Sequence, residues 1–118
     1  MDTPGTRKLR YLLLISADEE TAAEAMAAGE FGTFDAWMAD LERRGGLQVH
    51  AGLHPSTLAT TVRVRGGEVL LTDGPFIEGR EQVGGLAIIE CADLDEAIEI
   101  AAGHPAANIG QVEIRPLR

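Results

Sequence analysis

The chain of 118 residues is short of cysteine and of positive charge. Its single cysteine, Cys91, excludes an intrachain disulfide and a metal site built from several thiolates, and we interpret it as a small buried residue. Ten basic residues against 19 acidic ones give a net charge of −9. That balance argues against a nucleic-acid partner, because phosphate contacts need a clustered basic patch.

Long apolar runs are also missing. No segment approaches the roughly 20 residues of a membrane-spanning helix, so we expect no membrane partner. The first apolar run follows basic residues, but it is too short for a secretory signal and lacks a small-residue cleavage site, so we expect a cytoplasmic protein. The length predicts one domain over residues 1–118, with residues 1–7 flexible.

What the sequence contains is an alternation of strand and helix patterns. Phe34, Trp37, Met38 and Leu41 share one helical face, and Gly45 ends that helix. The predicted strands cover 9–15, 47–54, 59–65, 68–72, 82–92 and 111–117; the predicted helices cover 33–46 and 93–103, with a short helix or ordered loop over 16–32.

Two local signals refine this pattern. Thr21 with Glu24 fits a capping box, and Asp93 with Glu96 fits another. Gly66-Gly67 between two apolar segments predicts a two-residue hairpin turn. Without that hairpin the order is βαββαβ, which predicts an α+β fold: an antiparallel sheet with its helices on one face. A second copy of the chain is the simplest cover for the other face, so we expect a homodimer.

The strand over 47–54 carries a histidine. Strict alternation places Leu47, Val49 and Ala51 on one face and His50 on the other. If the apolar set packs on the helices, His50 faces the interior of the expected dimer, where an imidazole could act as a base near neutral pH.

Four segments of the chain carry a resemblance. They are KLRYLLLI, ATTVRVRGGEVLLTDGPFIEGREQVGGLAIIE, DLDEAIEIAAGHPAA and GQVEIRPL. Together they resemble the DGPF branch of the YCII-related family over nearly the whole chain, from Lys8 to Leu117. The tetrapeptide Asp73-Gly74-Pro75-Phe76 lies between a strand that ends in Thr72 and the downstream Glu81 and Gly84-Gly85, and this setting makes the resemblance strong.

The resemblance implies a ferredoxin-like fold that dimerises as the dimeric α+β barrels do. It implies little chemistry: one related enzyme eliminates chloride from a chlorinated muconolactone, and muconolactone isomerases share the barrel. Members of this branch also occur beside extracytoplasmic-function sigma factors, which makes a sigma factor a candidate partner. A His–Asp site is implied as well. Its aspartate here would be Asp73, and its histidine would be His50 or His54.

Asp73 has two interpretations from the residues alone. Its carboxylate could accept backbone N–H bonds from Gly74 onward in an Asx turn that Pro75 stiffens. It could also act at a cleft as a base or as the partner of a histidine. We predict Asp73, His50 and His54 as catalytic, and Gly74, Pro75 and Phe76 as substrate-binding.

Arg63, Trp37 and His104 also have candidate roles. Arg63 could clamp a substrate carboxylate or pair with Glu81 or Glu68. Trp37 could belong to the core or form a pocket wall, and His104 suits a surface cap after Gly103. No metal site is expected, because an extended strand separates His50 from His54 by roughly 13 Å. No cofactor is expected either.

Two functions follow as hypotheses. The first is an enzyme of the lyase or isomerase type that performs proton transfer, isomerisation or elimination on a small cyclic or carboxylated molecule near Asp73. The alternative is a non-catalytic ligand-binding or regulatory dimer linked to a sigma factor. The two differ in whether an acid–base pair lines the pocket.

Overall fold

A computed structural model describes residues 8–30, 32–77 and 79–118. The flexibility predicted for residues 1–7 lies outside these ranges. The elements, in chain order, are β1 (Leu9–Asp18), α1 (Glu19–Ala27), α2 (Phe34–Arg44), β2 (Leu47–Gly52), β3 (Thr60–Arg65), β4 (Glu68–Asp73), β5 (Glu81–Cys91), α3 (Leu94–Ala102) and β6 (Gly110–Pro116), with 3-10 turns at Ser56–Leu58 and Pro105–Asn108.

The central sheet has four strands in the order β2–β5–β1–β6, and each neighbouring pair is antiparallel. Strands β3 and β4 form a separate two-stranded hairpin. With the hairpin set aside, the connection βαββαβ and this strand order give the ferredoxin-like arrangement. The predicted α+β class and the extra hairpin are therefore confirmed.

The helix boundaries follow from their caps. The capping box predicted at Thr21 is wrong, because Asp18 at the end of β1 already accepts the N–H groups of Glu20 and Thr21 at 3.0 and 3.3 Å, so α1 begins at Glu19. At α3 the predicted N-cap is confirmed, since Asp93 accepts the Glu96 N–H at 2.9 Å. The reciprocal half of the box differs, because the Glu96 carboxylate accepts the N–H of Ala92 at 2.8 Å. The carboxylates of Asp18 and Asp93 satisfy N–H groups that the first turn leaves free.

The core lies between the helices and one face of the sheet, which we call the helix-covered face. Leu13, Leu41 and Ile89 are fully buried there, and Cys91 is buried as predicted. Burial raises the pKa of the Cys91 thiol, because the apolar surroundings disfavour the thiolate. Trp37 is a core residue, and its indole N–H donates to the Ile100 carbonyl at 2.8 Å.

The opposite face of the sheet has no cover within the described part of the chain; we call it the open face. Because side chains alternate along a strand, the neighbours of the buried β1 and β5 residues point to this side. Its centre consists of four half-buried residues, Leu12, Leu14, Leu86 and Ile88.

The β3–β4 hairpin stands apart from the core. Gly66 and Gly67 have φ of +57° and +80°, which identifies the predicted two-residue turn and explains why glycine is needed at both positions. One hairpin face is apolar and exposed, formed by Val62, Val64, Val69 and Leu71. These side chains have no covering layer among the described residues.

The molecule is thin and extended. Its shortest dimension is 18 Å and its radius of gyration is 16.7 Å, whereas a compact chain of this length would have about 13–14 Å. One sheet with one helix layer and a projecting hairpin accounts for the difference. None of the helices in the described ranges has the length and apolar character needed to span a bilayer. The cytoplasmic location stays a prediction.

Candidate functional site

A cavity of about 490 Å³ lies on the helix-covered face, beside α1 and the ends of β1 and β2. Its walls are largely apolar. They include Ile15 and Ala17 from β1, Ala22, Ala23 and Met26 from α1, and Phe34 from α2. A pocket of this size and character suits a small organic molecule.

His50 lines this cavity because β2 is irregular. The pairing of β2 with β5 shifts between Leu47 and Val49, so that Leu47 pairs with Ile89 and His50 pairs with Ala87. Since paired residues share a face, Leu47 and His50 both point toward the helices, while Val49 lies on the open face. The predicted alternation, and with it the placement of His50 in a dimer interior, is therefore wrong. One extra residue, Gln48, reverses the face of every later side chain.

Four rings form a cluster at the inner end of the cavity. The Phe34 ring centroid lies 5.2 Å from that of His50 and 5.7 Å from that of His104. Trp37 stands edge-on to His104 at 4.7 Å. His104 is thus packed edge-on by two rings, whereas Phe34 meets His50 at a tilted angle of 49°.

His104 is a site residue that the sequence did not reveal. The predicted surface cap is wrong: His104 is only 3% exposed and lines the cavity. Burial, and to a lesser degree the charge of His50, lowers the pKa of His104 to about 4. Its Nδ1 accepts the Ala106 N–H at 2.9 Å, so it caps the following 3-10 turn instead of the preceding helix. The His-Pro sequence after Gly103 was the one available signal, since proline often begins such a turn.

The cavity also contains two acidic residues, Glu19 and Asp35. Both oxygens of the Glu19 carboxylate accept hydrogen bonds from Ser56: one from its backbone N–H at 2.7 Å and the other from its hydroxyl. Glu19 thereby ties α1 to the loop after β2. Of the lysine and arginines that the structure describes, none lines the cavity.

The structure brings two of the predicted catalytic residues together and leaves the third apart. His54 is exposed and lies at the edge of the cavity that contains His50. Asp73 lines a neighbouring depression of about 380 Å³, together with Gly74 and Pro75. Gln82 lines both hollows. The catalytic roles of these residues stay predictions.

The turn at Asp73 differs from the expected Asx turn. The Gly74 N–H donates to the Ala59 carbonyl at 2.7 Å and not to the Asp73 carboxylate, and the Thr61 hydroxyl donates to the Gly74 carbonyl at 2.8 Å. Gly74 has φ of +103°, a conformation that a side chain would strain. The turn therefore closes the open end of the hairpin through its backbone.

The predicted substrate-binding side chains lie outside the cavity. Phe76 is 74% exposed, and Trp37 belongs to the core. Arg63 is on the exposed hairpin, where it is paired across the strands with Leu70. In residues 8–30, 32–77 and 79–118, no group of three or more His, Cys, Asp or Glu side chains could hold a metal ion.

Comparison with known proteins identifies relatives of the chain but names no reaction for them. The sequence model of the YCII-related domain matches residues 9–118. An uncharacterised protein of Rhizobium meliloti (strain 1021) is 46% identical over 69 residues. That match covers 57% of this chain and 56% of the relative, so the chain spans little more than half the length of this curated relative.

Proposed function

The chain belongs to the YCII-related family, and from that premise we propose that it binds a small organic molecule in the cavity beside His50 and transfers a proton there. The observation that carries this proposal is an apolar cavity of about 490 Å³ that contains an imidazole packed against Phe34. Apolar pockets with a few fixed polar groups are the usual form of a small-molecule site.

His50 is the residue best suited to the proton transfer. An imidazole exchanges protons near neutral pH, and the packing of Phe34 at 5.2 Å limits its orientations. As a base, His50 would remove a proton from the carbon between a ligand carbonyl and a C=C bond and return it to the far carbon of that bond; the double bond moves next to the carbonyl, which is an isomerisation. Loss of a leaving group with the electron pair instead makes the reaction an elimination. His54 lies at the edge of the same cavity.

The proposal moves the proton transfer from Asp73 to His50. Asp73 lines a separate depression, and Glu19 inside the cavity has both oxygens engaged by Ser56. Neither carboxylate is therefore placed as well as His50 to act as a base on a molecule in the cavity.

Deuterium exchange tests this proposal. Cyclic ketones in D₂O should exchange the hydrogens next to the carbonyl faster with the protein than without it, as followed by proton NMR. Because a general base contributes about 10²–10⁴-fold, His50→Gln should lose most of that exchange. Asp73→Asn is the matched control and should keep it. Exchange that persists in His50→Gln would contradict the assignment.

The alternative is a ligand-binding or regulatory protein with a sigma factor as its partner. It predicts that ketones bind in the cavity, seen as backbone amide shifts of α1 and β2, with no exchange above the buffer rate. Binding and exchange measured on one sample therefore separate the two functions.

The homodimer remains part of the proposal and rests on the open face. Apolar residues at the centre of an uncovered sheet favour association, because burial of apolar surface is the main driving force for it. Leu14→Asp should shift sedimentation from a dimer to a monomer, whereas Ile98→Asp, on an exposed apolar residue of α3, should not. A monomeric wild-type protein at micromolar concentration would contradict the dimer.

A further inference from the structure

The hydrogen bond of His104 determines which of its two ring nitrogens carries the proton. Its Nδ1 accepts the Ala106 N–H at 2.9 Å, so that nitrogen carries a lone pair. In a neutral imidazole the single proton must then reside on Nε2. The ring is neutral at physiological pH because its burial lowers its pKa to about 4. His104 is therefore a donor at Nε2.

The Nε2–H group is the donor that His104 can offer to a molecule in the cavity. His104 lines the cavity, and its hydrogen bond with the Ala106 N–H uses Nδ1. Across the described residues, every fully enclosed side-chain nitrogen and oxygen has a hydrogen-bond partner. Because the Ala106 N–H engages Nδ1, Nε2 is the ring nitrogen left to meet a molecule in the cavity.

The surrounding rings hold this donor in place without competing for the cavity. Trp37 packs edge-on against the imidazole at 4.7 Å, and Phe34 does so at 5.7 Å. The Trp37 indole N–H is already used by the Ile100 carbonyl at 2.8 Å. A ligand that enters the cavity would thus meet an imidazole that two rings hold in place.

The charges of the cavity decide which acceptor suits that donor. The carboxylates of Glu19 and Asp35 line the cavity, and none of the described lysine and arginine side chains does. An anion would lose hydration and meet these like charges, with no described lysine or arginine in the lining to compensate. An uncharged carbonyl avoids that cost and still accepts one hydrogen bond.

We propose that the Nε2–H of His104 donates a hydrogen bond to the ligand and that the cavity selects an uncharged, carbonyl-bearing ring compound, such as a ketone or an ester, over the matching carboxylate. This inference rests on the proposed function, because it requires the cavity to be a small-molecule site. It differs from the carboxylated substrate expected from Arg63, which lies on the hairpin and outside the cavity.

Three probes of similar shape test the selection. Methyl benzoate is a neutral ester, propylbenzene lacks the acceptor, and benzoate is the anion. Because a neutral hydrogen bond contributes roughly 0.5–1.5 kcal/mol, methyl benzoate should bind about three- to tenfold more tightly than propylbenzene. Benzoate should bind more weakly than methyl benzoate. The Kd values come from NMR titration of the full chain.

One variant separates the donor from the cap. His104→Asn places its side-chain oxygen near the position of Nδ1, so it can still accept the Ala106 N–H, but it has no donor at the position of Nε2. It should fold, keep propylbenzene binding within about threefold, and lose the preference for methyl benzoate. In the wild type, a long-range proton–nitrogen spectrum should show His104 protonated on Nε2, and that signal should move when methyl benzoate binds.

Each outcome bears on the inference. Binding of propylbenzene with no preference for the ester, tighter binding of benzoate, or a proton on Nδ1 would overturn the role of His104 and leave the small-molecule site intact. Failure of all three probes to bind would overturn both the inference and the proposed function. An unchanged preference in a folded His104→Asn protein would assign the selection to another residue.

Discussion

The helix-covered face and the β3–β4 hairpin use similar residues in opposite environments. Leu13 is fully buried on the helix-covered face, whereas Leu71 in the hairpin is 68% exposed. The aromatic and imidazole rings that line the cavity belong to the first region, and the Asp73 turn belongs to the second. The Asp73 motif and the cavity are thus in different parts of the molecule, and the rings of the cavity pack against one another whereas the apolar hairpin side chains are exposed.

The largest expected difference concerns the core. Leu13→Ala should lower the free energy of unfolding by about 2–5 kcal/mol, because it removes a fully buried side chain and leaves a cavity. Val64→Ala in the exposed hairpin should cost less than about 1 kcal/mol. Urea unfolding followed by circular dichroism measures both. Equal losses would mean that the hairpin is covered in solution.

A second difference depends on pH. His104 has a pKa of about 4 in the folded chain and about 6.5 when unfolded, so the unfolded state binds more protons between these values. The free energy of unfolding should therefore fall as pH drops from 6.5 toward 4, by at most about 3 kcal/mol from this group. His104→Asn should remove that part of the slope, and two parallel pH profiles would contradict the assignment.

The third expected effect is the loss of stability when the indole hydrogen bond of Trp37 is removed. Trp37→Phe keeps most of the ring but removes the N–H that donates to the Ile100 carbonyl at 2.8 Å. A buried acceptor without its donor costs about 1–3 kcal/mol, so the free energy of unfolding should fall by that amount. A loss below about 0.5 kcal/mol would show that water replaces the indole.

The backbone conformation of Gly74 should affect the stability of the hairpin. Gly74→Ala meets no atom within 4 Å, but it must adopt φ near +103°, so we expect a loss of about 1–2 kcal/mol. Gly84→Ala also enters open space without a positive φ and is the matched control. If chemical denaturation gives both variants the same stability, the turn tolerates another conformation.

The smallest effect is expected at the polar hairpin residues. Arg63→Ala and Asp73→Asn should each change the free energy of unfolding by less than about 0.5 kcal/mol, because neither belongs to the core. The Kd of methyl benzoate should stay within twofold of wild type. A tenfold weaker binding of methyl benzoate by either variant would indicate that the ligand binds at the hairpin.

Local residues predicted much of the architecture. The 3.6-residue spacing of Phe34, Trp37 and Leu41 identified α2, and the paired Gly66 and Gly67 identified the hairpin turn, since both signals act within a few residues. The candidate site was less predictable. The orientation of His50 depends on where β2 pairs with β5, and the burial of His104 depends on Trp37 and Phe34 packing against it.

The sequence by itself determined the α+β class and the order of the elements, because periodicity, caps and turn residues are local, and four of its segments carried the resemblance to the family. Tertiary structure decided which hollow each polar group enters. The shift at Gln48 turned His50 toward the helices, and packing between α2 and the turn after α3 buried His104. Both are long-range events, in which pairing register and desolvation are settled only when distant segments meet.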